Sequence, residues 1–180
     1  MFKYVSDVST ISHHLIDSFV YNKDIAIDAT LGNGYDADFL SVKFNKVYAF
    51  DIQKCAIDNY ESKCKPNVKV IYDSHESFEK YIPEEVDCIM YNLGFLPGNN
   101  KEITTKAETT VNSLKTAIKI LRKGGIITIA LYSGHEEGKK ELAEVLDYVK
   151  VLPKNEFAVL YHQFLNRQST APSLVVIEKK

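Results

Sequence analysis

Apolar residues fall at two spacings along the chain, and the spacing switches regularly. Ile11, Leu15, Ile16 and Phe19 recur at helical intervals and predict an amphipathic helix over Thr10 to Tyr21. Short apolar runs follow, each ending in a polar residue: Ile25–Ile27 before Asp28, Lys46–Phe50 before Asp51, Val68–Tyr72 before Asp73, Val86–Tyr91 before Asn92. Runs of this length predict buried strands. Between them, Tyr35 to Phe44, with Phe39 and Leu40 inward, and Lys54 to Lys63 predict helices. A long helix is expected from Lys106 to Leu121, stopped by Lys123–Gly124–Gly125. Ile126 to Leu131 predicts a fifth strand and Glu136 to Val149 a last helix. Phe157 to Phe164 and Ser173 to Glu178 predict two strands with no helix between them, hence an antiparallel pair.

This alternation predicts a doubly wound, Rossmann-like α/β fold. Its seven-stranded sheet is mostly parallel, covered on both faces, and ends in an antiparallel hairpin. The 180 residues suit one domain, 1–180. Ligands on such sheets bind at the carboxyl ends of the strands, where the polar peptides above fall.

Composition narrows the classes. Hydrophobic residues make 45% and charged ones 26% of the chain, ordinary for a folded domain. No run of roughly 18 apolar residues predicts a membrane helix. Met1–Tyr4 leads into a polar stretch without a secretory core, so a cytoplasmic location is expected. Cys55, Cys64 and Cys88, odd in number and without C-x-x-C spacing, predict neither a disulfide framework nor a metal site. A net charge of -2 speaks against broad nucleic-acid affinity but leaves room for a local basic face.

The chemistry begins at Asp28-Ala-Thr-Leu-Gly32-Asn-Gly34-Tyr-Asp36. Gly32 and Gly34 permit a tight turn and close backbone approach to a ligand. Carboxylates at Asp28 and Asp36 would repel a pyrophosphate but suit a cation such as S-adenosyl-L-methionine, which carries an ammonium and a sulfonium and no phosphate. Asp51, 17 residues after Gly34, can accept hydrogen bonds from both ribose hydroxyls, and its alternative role is a helix N-cap. G-N-G-Y-D-A also fits a nicotinamide-dinucleotide fingerprint. Asp28 before the glycines, Asn92-Leu-Gly-Phe-Leu-Pro-Gly98 after the fourth strand and the terminal hairpin favour the methyl donor.

The order of strand acid, G-x-G, second-strand acid, fourth-strand N-x-x-aromatic and final antiparallel strand resembles the class I methyltransferases. D-A-T-L-G-N-G-Y-D, F-D-I-Q, S-H-E, N-L-G-F-L-P-G and A-E-T-T together resemble a small bacterial rRNA methylase family. That family is similar to the tRNA methyltransferase that converts 5-aminomethyl-2-thiouridine at the wobble position to its methylaminomethyl form. The resemblance implies that Asn33 and Asp36 contact the methionine part or its loop, and that Asp51 and Gln53 hold ribose and adenosine. It implies that Ser74 and His75 flank the adenine, and that Asn92, Leu93 and Gly94 line the gap between donor and acceptor. Ala37 and Asn99–Asn100 depart from the family pattern in small ways.

Asn92 can be argued independently. Methyl transfer to nitrogen is an in-line displacement in which positioning matters more than acid–base help. A side-chain amide oxygen can orient the acceptor's N–H groups. An alkylamine must lose a proton before attack; His75, Tyr91, His162 or water could accept it. Asn92 could instead be a turn residue before Gly94.

Lys101 and Lys106 lie beside this site, where an RNA phosphate would pass. Tyr161, His162, Phe164, Asn166 and Arg167 combine stacking faces, amides and a cation suited to single-stranded RNA such as a tRNA anticodon region, or else Tyr161 and Phe164 pack in the core. Lys115, Lys119 and Arg122 are expected on one solvated helix face. His13 and His14 read as a cap and a surface residue, with a lid role for their helix as the alternative. A homodimer would extend the basic surface. The leading expectation is a tRNA wobble-uridine methyltransferase; the alternatives are methylation of rRNA or a small amine, and a non-catalytic RNA-binding module.

Overall fold

The computed structural model describes residues 2–63, 65–96, 98 and 104–180. Helix α1 (Val8–Phe19) begins at Asp7, whose carboxylate accepts the Thr10 N–H and fixes the start two residues earlier than expected. Ile11 and Ile16 are buried as predicted, but Phe19 is exposed on the last turn. Strand β1 (Ile25–Asp28), helix α2 (Tyr35–Lys43), strand β2 (Lys46–Asp51), helix α3 (Lys54–Glu61) and strand β3 (Val68–Tyr72) follow. A 3-10 turn (His75–Ser77) and one-turn helix α4 (Phe78–Tyr81) come next. Neither was expected; the local signal is Ser74, whose hydroxyl accepts the Glu76 N–H. Strand β4 (Val86–Asn92), helix α5 (Ala107–Ile120), strand β5 (Leu121–Leu131), helix α6 (Glu136–Lys150) and strands β6 (Phe157–His162) and β7 (Ser173–Lys179) complete the order.

The sheet order is β3-β2-β1-β4-β5-β7-β6. The first five strands are parallel, and β7 pairs antiparallel with both β5 and β6. The order reverses between β1 and β4, which opens a crevice at their carboxyl ends. Buried side chains alternate across the sheet: Ile89 and Tyr91 of β4 face the core under α5 and α6, while Cys88 and Met90 face the core under α1 and α2. Strands buried on both sides read as unbroken apolar runs.

One boundary was misplaced for a physical reason. Helix α5 ends at Ile120, and Leu121, fully buried, pairs with Val86 as the first residue of β5. The register jumps from Val86↔Leu121 to Cys88↔Ile126, so Gly124 (φ 78°) and Gly125 sit in a bulge rather than at a helix stop. Arg122 is therefore on the strand, not on a face with Lys115 and Lys119. Its guanidinium donates to buried Asp87 at 2.7 Å and to Asp24 at 3.2 Å.

Candidate active site

The loop after β1 is stitched to both neighbouring strands. The Ala29 N–H donates to Met90 O and the Leu31 N–H to Phe50 O, each at 2.8 Å. The two glycines do different work. Gly32 (φ 50°) forms part of a cavity wall, and its N–H donates to Asp51 Oδ2 at 2.8 Å. Gly34 (φ 80°) is not on that wall. A Cβ there would lie 2.5 Å from Tyr60 Cε2 and nearer still to Cδ2, so Gly34 lets the turn between β1 and α2 pack on α3.

Asp28, expected beside the ligand, sits behind the loop rather than on the cavity wall. It is fully buried; Oδ1 accepts the Thr30 N–H at 3.0 Å, and Oδ2 has no protein partner among the described residues. Burial, then the charge of Asp36, pushes its carboxyl well above the usual range.

The crevice holds a cavity of about 550 Å³. One wall is Ala29 to Asn33 with Tyr35 and Asp36; a second is Asp51 to Gln53; a third is Asp73 to Glu76. The fourth runs from Asn92 to Leu96 and is closed by Thr104, Thr105, Lys106, Thr109 and Tyr132. Asp51 does not cap α3, whose N-cap is Gln53. Its Oδ1 accepts the Gln53 N–H at 2.8 Å, so each carboxylate oxygen holds one backbone N–H and keeps a lone pair for a further donor. Burial raises its carboxyl.

His75 is buried beside Ser74, with Nδ1 unpartnered among the described residues, and burial pushes its imidazole down to about 4. It is neutral at pH 7 and a weak base, which argues against it as the proton acceptor. Tyr91 is no candidate either. Its hydroxyl bonds Ser113 Oγ at 2.7 Å in the core, and burial raises it.

Asn92 ends β4 as part of the strand, not as a turn. Its N–H donates to Thr30 Oγ1 at 2.8 Å, and Nδ2 donates to Asp36 Oδ2 at 3.3 Å and Ser9 Oγ at 3.4 Å. An ionised carboxylate only accepts, so Nδ2 is the amide atom facing Asp36 and Oδ1 is left for another donor. Asp36 Oδ1 pairs with His13 Nε2 at 2.7 Å, and the His13 ring stacks on Phe39. The cap of α1 is Asp7, so the expected cap or surface role of His13 is corrected; His14 is exposed. The loop after Asn92 is clamped as well. The Gly94 N–H donates to Thr105 Oγ1, which donates to the buried carboxylate of Glu141 on α6.

The basic and aromatic candidates scatter. Lys106 reaches the cavity, whereas Lys101 lies outside the described residues. Lys115 and Lys119 are solvated. His162 pairs with Leu174, which pairs with Ala130, which pairs with Asn92, three strand spacings or roughly 14 Å away. It is not on the cavity wall, and burial lowers its imidazole, so it does not meet the acceptor side of Asn92. Tyr161 and Asn166 are exposed. Phe164 packs partly against Val8, Ile11 and Leu174, and Arg167 lies 3.6 Å from its ring centroid while donating to Ser6 O. Those two side chains tie the hairpin loop to the N-terminal segment. Local patterns gave no sign of Ser9, Thr105 or Glu141, and singled out His13 without its bond to Asp36. Tyr132, just past β5, was also missed, although the strand-end rule covers its position.

The residues present fit S-adenosylmethionine. Four carboxylates, Asp36, Asp51, Asp73 and Glu76, share the wall with one lysine, Lys106, which suits a cationic ligand without phosphate. Asp51 has open acceptor positions for ribose hydroxyls, and unpartnered His75 Nδ1 leaves a hydrogen-bonding position beside Ser74. Among the described residues no cluster of His, Cys, Asp or Glu is arranged to hold a metal ion, and no helix is long and apolar enough to cross a membrane.

Comparison with known proteins agrees with this cofactor. The model of the family described as "Putative rRNA methylase" matches residues 47–178. A chloroplastic tRNA (mnm(5)s(2)U34)-methyltransferase of Arabidopsis thaliana is 36% identical over 188 residues, covering 94% of this chain and 68% of that protein. The solved structure of a putative rRNA-methylase from Clostridium thermocellum is 37% identical, with a TM-score of 0.93 over 98% of this chain and 99% of that one. A putative methyltransferase from Streptococcus mutans, solved in complex with SAH, is 37% identical with a TM-score of 0.90 over 98% and 99% of the two chains.

Proposed function

The chain belongs to the rRNA methylase family of S-adenosylmethionine-dependent methyltransferases, and from that premise we propose that its acceptor is the aminomethyl nitrogen of 5-aminomethyl-2-thiouridine at the tRNA wobble position. The product is the methylaminomethyl nucleoside. The likeness to the Arabidopsis thaliana tRNA enzyme over almost the whole chain carries this reading. Asn92 supports it, since it lines the cavity with Nδ2 engaged, and its amide oxygen can accept an N–H from a primary amine.

Asp51 and Gln53 would hold the ribose, Ser74 and His75 the adenine, and Asn33 with the Gly32 backbone the methionine end. The bound cofactor supplies an electrophilic methyl group on a sulfonium. Asn92 Oδ1 and the backbone at Leu93 and Gly94 orient the amine so that its lone pair is aimed along the line of attack. Thr105 and Glu141 hold that loop in place. With His75 neutral and weakly basic and His162 remote, the amine's proton leaves to water at the open mouth of the cavity. Lys106 and Tyr35, both exposed and lining the cavity, would meet a phosphate and a base of single-stranded RNA. Dimerising would extend the surface offered to RNA, and sedimentation of a dimer is expected.

The test is nucleoside mass spectrometry of tRNA carrying aminomethyl-thiouridine after incubation with the protein and S-adenosylmethionine. Gain of one methyl on that nucleoside is expected. The family's description supplies the second reading, an rRNA acceptor, and methylation of rRNA but not of this tRNA would select it.

A further inference from the structure

We propose that helix α1 backs the acceptor site from behind its wall, with Ser9 directly and His13 through Asp36 as positioning residues that fix the Asn92 amide. The proposal rests on the reading of Asn92 as the amine contact. Each oxygen of Asp36 accepts from a protein donor: Oδ1 from His13 Nε2 at 2.7 Å and Oδ2 from Asn92 Nδ2 at 3.3 Å. Asp36 therefore orients the acceptor end, and its remaining lone pairs stay open to the methionine end. It is nearly buried, and a carboxylate so placed keeps its orientation only if its bonds are made.

His13 supplies the shorter bond, and its ring lies flat on Phe39 with centroids 3.9 Å apart, so α1 and α2 lock the imidazole in place. Ser9, one helical turn earlier on α1, accepts from the same amide nitrogen. The amide thus has both Nδ2 hydrogens engaged by groups that α1 supplies or anchors, which leaves Oδ1 as the atom presented to the substrate. Rotation of this amide by half a turn would present N–H groups instead and repel the amine's own hydrogens.

The experiment compares His13→Phe, which keeps a ring on Phe39 but removes the donor, with His13→Gln, which restores a donor. Loss of positioning is expected to lower kcat of H13F roughly 10- to 100-fold. The Kd for S-adenosylmethionine should stay unchanged, and H13Q should recover most of the rate. Independently of turnover, the side-chain amide signals of Asn92 in 15N NMR are expected to shift in H13F and to return in H13Q. Wild-type kcat in H13F with unmoved Asn92 signals overturns the proposal, as does equal loss in both variants. If H13F does not fold, Ser9→Ala, a helix-favouring change, takes its place with the same two readouts. If the wild type fails to methylate the aminomethyl tRNA, the substrate assignment falls, and the Asn92 signals alone then decide the role of α1.

Discussion

Replacing Gly34 by alanine tests whether the second glycine of the loop serves packing or ligand approach. At φ 80° an L-residue costs about 1–2 kcal/mol. The new Cβ would enter the Tyr60 ring, and Tyr60 is itself buried with its hydroxyl on Asp38 Oδ1, so the ring has no free direction to yield. Overpacking of this kind costs about 1–3 kcal/mol, while the stiffer unfolded chain gives back about 0.4–1 kcal/mol. The net is a loss of about 1–5 kcal/mol. For a chain of this length that lowers Tm by roughly 2–20 °C. Gly32→Ala is the control. Its Cβ would meet Leu96 Cδ1 at 3.4 Å, an ordinary contact, so it bears only the backbone cost, but it lies on the cavity wall. Thermal unfolding of the ligand-free protein and calorimetric titration with S-adenosylmethionine read the two effects separately. G34A should lose mainly Tm and G32A mainly affinity. A G34A protein with wild-type Tm and weakened binding would refute the division of labour argued here.

Asp51→Ala removes the acceptor of ribose hydroxyls and should weaken cofactor binding by about 1.5–3 kcal/mol, roughly 10- to 150-fold in Kd by calorimetry; an unchanged Kd ends the ribose assignment. Asn92→Ala should lower kcat roughly 10- to 100-fold at unchanged cofactor Kd, and wild-type turnover would remove it from the acceptor site. Asp28→Asn tests linkage: a carboxyl raised in the folded state binds more protons than in the unfolded chain, so its contribution is present at low pH and lost as pH rises above 4. Urea unfolding should therefore find D28N matching the wild type near pH 4 and exceeding it at pH 8. His75 has the opposite sign. An imidazole held down to about 4 contributes stability above about 6.5 that is lost, by about 3 kcal/mol, as pH falls toward 4, and His75→Gln should flatten that acid limb.

The sequence was most legible where structure is local. The strand runs before Asp28, Asp51 and Asn92 end where they were placed, because burial on both faces writes itself as uninterrupted apolar residues. The glycine pair at 124 and 125 shows the limit. Glycine announces a break in regular structure but not which kind, and the demand of the sheet for a buried Leu121 turned a helix stop into a strand bulge. The cavity walls at Gly32, Asp51, Ser74 and Asn92 followed from one rule about strand ends. The roles of Asp28 and Gly34 did not, since both belong to the motif yet face away from the ligand space, and no spacing distinguishes the front of a loop from its back.

What stayed hidden is the tie between distant segments. Asn92 meets Asp36 across 56 positions and Ser9 across 83, and Gly94 reaches Glu141 through Thr105. Each of these side chains is ordinary in its own helix. Ser9 and His13 occupy the polar side of α1, and Glu141 reads as one more charge on a charged helix until the fold buries it. Two rings of contacts result at the same strand end. One is built from the backbone of β1, β2 and β4 through Gly32 and Asp51, and the sheet holds it rigid. The other is built from side chains of α1, α2 and α6, whose hold on the sheet is lighter. The backbone ring faces the place assigned to ribose, which is the same for any acceptor. The side-chain ring faces Asn92 and Gly94, where acceptors differ. Substitutions on α1 and α6 should therefore change which amine is methylated more readily than they change whether the cofactor binds.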